Sequence, residues 1–117
     1  MHVVLLELKD MGCDIDGAMK LFMNKEDFYL RMFKKFLTEP AFEALGEALK
    51  TKNTELGFQY AHTLKSVCGN MGMTPLTNEV VAIVEPLRVG DFTNDVLVHY
   101  DKLMKHYAKC KEIGKRL

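Results

Sequence analysis

A histidine, a lysine and two small residues share one stretch of the chain at helical spacing. Lys65 follows His62 after three positions, Ser66 after four and Gly69 after seven. At about 100° per residue, these side chains fall on the same half of a helix. A free imidazole nitrogen can attack phosphorus, and a lysine one turn away can neutralise charge on phosphate oxygens. The spacing therefore predicts a surface on which His62 could accept a phosphoryl group.

The helix that carries His62 has a separate apolar side. That side holds Gly57, Tyr60, Ala61, Leu64, Val67, Cys68 and Met71. Phe58 lies at the margin of the polar side, where contact with a partner and packing at the core edge are both open. An interior glycine costs roughly 1 kcal/mol relative to alanine, so close approach of a partner explains Gly69 better than helix stability does. The expected docking surface consists of Phe58, Gln59, Ser66 and Gly69.

This stretch is similar to the phosphohistidine helix of the histidine-containing phosphotransfer (HPt) domain family, whose hallmark reads approximately His-x-Leu-Lys-Gly-x-x-x-x-hydrophobic-Gly. The matching positions are His62, Leu64, Lys65, Met71 and Gly72, while Ser66 stands where the family most often has glycine. Residues 12 to 37 resemble the family's amino-terminal helices, and residues 76 to 91 resemble the helix and turn that follow the phosphohistidine helix. The resemblance covers roughly 80 residues, counted within a chain of single-domain length.

The resemblance implies a phosphocarrier of a two-component phosphorelay. His62 would accept a phosphoryl group from the phospho-aspartate of a receiver domain and pass it to another receiver, and Lys65 would stabilise the phosphate charge. The implied partners are response-regulator receiver domains, a hybrid sensor histidine kinase, or both. The receiver would bring the magnesium ion, and the chain would hold no cofactor and no metal of its own. Both a free-standing protein and a domain of a hybrid kinase fit this reading.

The same residues also bear on other functions. The sequence has no Gly-x-x-x-x-Gly-Lys-Ser/Thr loop and no acidic cluster for magnesium, so we do not expect it to phosphorylate itself from ATP. A helical adaptor or anti-regulator that binds receivers without phosphotransfer is the alternative, and the presence of both His62 and Lys65 favours the carrier. A metal-binding bundle has little support, because Glu-x-x-His pairs are missing and His99 and His106 are seven residues apart. We expect both of these histidines at the surface.

Composition restricts the class of partner and the compartment. Of the 117 residues, 48% are hydrophobic, and sixteen basic residues balance sixteen acidic ones. The formal net charge is zero, so the chain has no overall positive charge that would attract nucleic acid or an anionic membrane. We therefore expect a protein partner. Cys13, Cys68 and Cys110 form no Cys-x-x-Cys pair, which favours a reducing cytoplasm. The apolar opening of the chain is too short to span a membrane or to act as a signal peptide, so we expect a cytoplasmic protein. We also expect the protein to be a monomer.

Helix signals predict one all-α domain over residues 1 to 117. Residues 1 to 13 form a leading arm or a short helix, and Asp14 caps a helix that ends near Met23. Asn24 is expected to cap the next helix. Pro40 either kinks this helix or begins a new one, and we expect continuation across the kink to about Lys50.

Three more helices complete the predicted fold. Asn53 and Thr54 begin the helix of His62, Thr74 caps the next helix with Pro75 as its first residue, and a last helix extends from about residue 93 to 114. The helix that begins at Thr74 has its apolar positions at Leu76, Val80, Ile83 and Leu87. We expect Gly90 to end this helix and Pro86 to bend it. The last helix has its apolar stripe at Val96, Tyr100, Leu103, Tyr107 and Cys110. Short loops predict an up-and-down antiparallel four-helix bundle with one or two additional amino-terminal helices.

Overall fold

The computed structural model of the protein describes residues 1–117. It contains no strand, and its seven helices are α1 (Val3–Asp10), α2 (Ile15–Leu21), α3 (Glu26–Phe36), α4 (Ala41–Lys50), α5 (Thr54–Asn70), α6 (Thr74–Arg88) and α7 (Asn94–Gly114). The all-α prediction is therefore confirmed. No helix combines the length and the hydropathy that crossing a bilayer requires.

Side-chain caps begin α2 and α5 at the predicted residues. The Oδ1 atom of Asp14 accepts a hydrogen bond from the backbone N–H of Gly17 at 3.0 Å. The Oδ1 atom of Asn53 accepts one from Leu56 at 3.1 Å. Each cap satisfies an N–H group that the first helical turn leaves without a partner. Gly90 follows α6 with φ at 71°, a conformation that glycine adopts easily, so the predicted end of this helix is also correct.

Two other helix starts differ from the prediction by one residue. Lys25 is the N-cap of α3, and Asn24 instead adopts a left-handed conformation with φ at 56°. Asparagine tolerates this conformation better than most residues. Met73 is the N-cap of α6, so Thr74 and Pro75 both lie in the first turn, where proline needs no N–H donor.

The expected continuation of a helix across Pro40 is wrong. α3 ends at Phe36, and α4 begins at Ala41. A proline disfavours helical conformation at the preceding residue and has no N–H group to donate back. The carboxylate of Glu39 accepts a hydrogen bond from the backbone N–H of Ala41 at 3.0 Å, which supports the new start.

Consecutive helices pack side by side in the second half of the chain. α5 contacts both α4 and α6, α6 contacts α7, and α7 contacts α4 and α1. A single cluster of 30 buried residues fills the space among the helices. All four apolar positions predicted for α6 are buried, and the helix continues past Pro86 to Arg88. In α7 the predicted stripe is buried except for Tyr100, which is half-buried.

Two tyrosines hold the ends of neighbouring helices in place. The hydroxyl of Tyr29 in α3 donates to the carbonyl of Met71 at the end of α5, at 2.7 Å. The hydroxyl of Tyr107 in α7 donates to the carbonyl of Phe36 at 2.8 Å. Burial raises the pKa of both phenols, so each stays protonated and remains a donor. The carboxyl end of the helix that carries His62 is thereby fixed against α3.

Candidate functional site

The predicted phosphoacceptor His62 lies in the middle of α5, on the side of the helix that faces solvent. Its neighbours on this side, Gln59, Ser66 and Gly69, are also exposed. Leu64 and Met71, which the helical wheel assigns to the core, are buried. The predicted division of α5 into an apolar and a polar side is therefore confirmed, with one correction. Lys65 is half-buried, because it lies toward the boundary with the apolar side.

The four histidines of the chain differ in what their rings already contact. Nδ1 of His2 accepts a hydrogen bond from the backbone N–H of Val4 at 3.1 Å. Nδ1 of His99 lies 2.6 Å from a carboxylate oxygen of Glu79, a contact between α6 and α7. His99 and His106 are half-buried, so each lies at the surface with part of its side chain covered. His62 is exposed with neither ring nitrogen hydrogen-bonded, which leaves either nitrogen free to react.

The helix face around His62 is open to an approaching molecule. A Cβ atom built on Gly69 would meet no other atom within 4 Å. The side chain of Lys65 takes part in none of the ion pairs of the protein, although it is half-buried. An unpaired ammonium one helical turn from an imidazole is placed to interact with an anion held on that ring.

An aromatic stack connects His62 to α6. The ring of Phe58 stacks on the imidazole of His62, with centroids 5.7 Å apart and 21° between the planes. The guanidinium carbon of Arg88 lies 5.3 Å from the centroid of the Phe58 ring. Phe58 is half-buried and packs against the core cluster, so core-edge packing describes it in the free protein. The stack brings a second cation from another helix close to the predicted site.

Arg88 is the residue of this site that the sequence does not predict. It occupies the last turn of α6, where a basic side chain is common because it interacts favourably with the helix dipole. Its Nη2 atom lies 3.6 Å from a carboxylate oxygen of Glu85, and both side chains are about half exposed. Such a surface ion pair contributes little to stability, so the guanidinium can leave the Glu85 carboxylate and bind another anion. Only the packing of α6 against α5 shows that Arg88 lies over the Phe58 ring that stacks on His62.

A close approach of α5 and α6 makes this stack possible. A Cβ atom on Gly57 would lie 3.1 Å from Cδ1 of Leu87, which is tighter than an ordinary van der Waals contact. Because Gly57 has no side chain, the end of α6 can pack directly against the backbone of α5. Arg88, the next residue after Leu87, is then within reach of the Phe58 ring.

An apolar groove of about 350 Å³ lies beside the carboxyl half of α5. Val67 and Asn70 of α5 form one wall together with Met71, which follows α5. Residues of α3 form the other wall, together with Phe22 before this helix and Glu39 after it. Val67 and Asn70 immediately follow Ser66 and Gly69 in the chain. The predicted docking surface is therefore bordered by an apolar groove on the α3 side and by Arg88 on the α6 side.

The cysteines lack the properties of catalytic nucleophiles. Cys13, Cys68 and Cys110 are all free and buried. Burial raises the pKa of Cys13 to about 11 and that of Cys110 to about 12, so both thiols stay protonated at neutral pH. No group of three or more histidine, cysteine, aspartate and glutamate side chains could hold a metal ion. The imidazole of His62 therefore stays the predicted reactive group of the candidate site.

Comparison with family models, with curated proteins and with solved structures found no match to this chain. The candidate site is therefore defined by its own geometry. An exposed imidazole without hydrogen bonds, an unpaired lysine one turn away and an open helix face lie together on α5. Arg88 adds a second positive charge from α6.

Proposed function

We propose that this protein is a histidine phosphotransfer protein. It accepts a phosphoryl group on His62 from the phospho-aspartate of a receiver domain and transfers it to another receiver. The observation that carries the proposal is the exposed, unbonded imidazole of His62 beside the unpaired Lys65, on a face that Gly69 leaves open. The similarity of this segment to the HPt family hallmark supports the same reaction class.

The packing of the helices supports the finer fold that this function implies. We assign α4 to α7 to an up-and-down antiparallel four-helix bundle, because each packs against the next and α7 contacts α4. The connections between them span only residues 51–53, 71–73 and 89–93, and short connections favour antiparallel neighbours. α3 and α4 are separate helices, so three amino-terminal helices, rather than one or two, precede these four.

The proposed transfer needs no base and no nucleotide from this chain. A ring nitrogen of His62 attacks the phosphorus of the acyl phosphate, and the P–N bond forms as the P–O bond to the aspartate breaks. The aspartate leaves as a carboxylate, and the receiver brings the magnesium ion that neutralises phosphate charge. The ammonium of Lys65 interacts with the transferred oxygens, in the way that preorganised cations stabilise phosphoryl transfer. The reverse reaction delivers the group to the second receiver.

Transfer from a receiver domain tests this function directly. A purified receiver carrying a radiolabelled phosphoryl group is mixed with this protein without ATP, and the label on each chain is measured over time. We expect the label to move to this chain in a linkage that acid cleaves and base does not, as for a phosphoramidate. A panel of receivers that bind this protein without any transfer would instead identify the adaptor function.

Loss of the lysine charge should slow the chemistry and leave the fold unchanged. For Lys65→Ala we expect transfer to be slower by roughly tenfold or more, because one electrostatic contact to the phosphoryl group is lost. The free energy of unfolding should change by no more than about 0.5 kcal/mol, since Lys65 makes no ion pair. Single-turnover transfer and thermal melting measure the two effects. Large destabilisation with normal transfer would make Lys65 a structural residue.

The stack above His62 gives Arg88 a positioning role. We expect Arg88→Ala to slow transfer and to shorten the lifetime of the phosphorylated protein several-fold, because the Phe58 ring that stacks on His62 loses the cation over its face. Arg88→Lys should recover only part of the effect, since an ammonium keeps the charge and lacks the planar group that stacks on the ring. Glu85→Ala, which frees Arg88 from its ion pair, is the matched control and should not slow transfer. Wild-type rate and lifetime in Arg88→Ala would exclude this role.

A further inference from the structure

Three sulfur atoms from distant parts of the sequence meet in the core. The Sγ atom of Cys13 lies 3.6 Å from the Sδ atom of Met73, and the Sγ atom of Cys110 lies 3.9 Å from the same Sδ. Met73 and Cys110 have no exposed surface, and Cys13 is 7% exposed. Cys13 belongs to the loop between α1 and α2, Met73 to the turn between α5 and α6, and Cys110 to α7. We call these three residues the sulfur cluster.

The spacing of the sulfur cluster suits one soft metal ion. Metal–thiolate bonds are about 2.3 Å long, so a trigonal ion places its three sulfur ligands about 4 Å from one another. The two distances from Met73 are close to this value. Thiolate and thioether sulfur are the ligands that Cu(I) prefers, whereas Zn²⁺ in a structural site requires four ligands. The chemistry of the ligands therefore favours Cu(I).

We propose that Cys13, Met73 and Cys110 form a binding site for a single Cu(I) ion. The ion binds both cysteine sulfurs as the two thiols release their protons to water, because the thiolate and not the thiol is the metal ligand, while the thioether contributes neutral sulfur. One copper charge replaces two protons, so the loaded site carries a single negative charge shared by the metal and its sulfur ligands. No electron is transferred. The proposal is independent of phosphotransfer at His62.

Two loops cover the sulfur cluster and provide a route to it. Cys13 and Met73 lie in loops rather than in helix interiors, and the backbone N–H of Asp14 donates to the carbonyl of Gly72 at 2.8 Å to join these loops. Opening of loops requires less free energy than global unfolding. Cu(I) can therefore reach the three sulfur atoms while the helices remain packed.

Anaerobic titration with Cu(I) tests the site. The metal is supplied as its coloured complex with bathocuproine disulfonate, and transfer to the protein is followed as loss of colour. We expect the wild-type protein to take up one Cu(I) per chain and to melt at a higher temperature when loaded, because a ligand specific to the folded state stabilises it. Failure of the wild-type protein to take up Cu(I) from the complex would overturn the proposal.

Matched substitutions separate a metal site from apolar packing, the usual role of buried cysteine and methionine. Met73→Leu keeps the volume of the side chain and removes the thioether, so Cu(I) affinity should fall by about tenfold or more. Met19→Leu, at another buried methionine, should bind as the wild type does. Cys110→Ala provides a second test if Met73→Leu does not fold, with circular dichroism as the control. Equal affinities of the Met73 and Met19 variants, or wild-type affinity of folded Cys110→Ala, would overturn the proposal.

Discussion

The variant His62→Gln is expected to accept no phosphoryl group from a receiver domain and to keep the wild-type helical fold. Glutamine has no nucleophilic ring nitrogen, so the P–N bond cannot form. The side chain of His62 is exposed, and its one aromatic contact is the stack on Phe58. Loss of an aromatic pair of this kind costs about 1 kcal/mol, which leaves the fold intact. Transfer of label from a phosphorylated receiver, with circular dichroism and thermal melting, measures both results.

A second histidine provides the control for this experiment. His106→Gln, on α7, should accept label at the wild-type rate, because His106 lies outside the α5 site and is half-buried. Mapping the modified residue in the wild-type protein should identify His62 alone. Wild-type loading of the His62 variant would mean that another residue accepts the group and that the open face of α5 has a different role.

The variant Gly69→Arg is expected to weaken both receiver binding and phosphoryl transfer by about a hundredfold. Receiver docking at His62 would place the partner backbone against Ser66 and Gly69, and an arginine at that point introduces a clash of roughly 3 kcal/mol. In the free protein the new side chain meets no atom within 4 Å of its Cβ. Arginine is also a better helix former than glycine by about 1 kcal/mol, so the variant should be at least as stable as the wild type.

A matched substitution on another helix shows whether the effect is local. Ala108 is a small, exposed residue inside α7, and Ala108→Arg adds the same charge and bulk away from α5. Calorimetric titration of a cognate receiver should give wild-type affinity for Ala108→Arg and greatly reduced affinity for Gly69→Arg. Equal affinities for the two folded variants would place the docking surface elsewhere on the protein.

Local signals in the sequence predict most of the helices, and they are wrong where two local preferences compete. Asn53 caps α5 as predicted, because a single short polar side chain satisfies the free N–H groups of the first turn. At the start of α3, asparagine is favourable both as an N-cap and in a left-handed turn, and Asn24 adopts the turn. At Pro40, one kinked helix and two separate helices are both compatible with proline, and the structure has two separate helices.

Helical periodicity alone predicts which side of α5 faces solvent, and with it the exposed positions of His62, Ser66 and Gly69. This prediction is possible because each residue of a helix is rotated by a fixed angle from the one before it, so its position in the sequence gives the direction of its side chain. Only the tertiary structure placed Arg88 over Phe58, bordered the site with an apolar groove and brought three sulfur atoms together. Those arrangements depend on contacts between helices that are far apart in the chain, such as the close approach of Leu87 to the backbone of α5, and no periodicity within one helix specifies them.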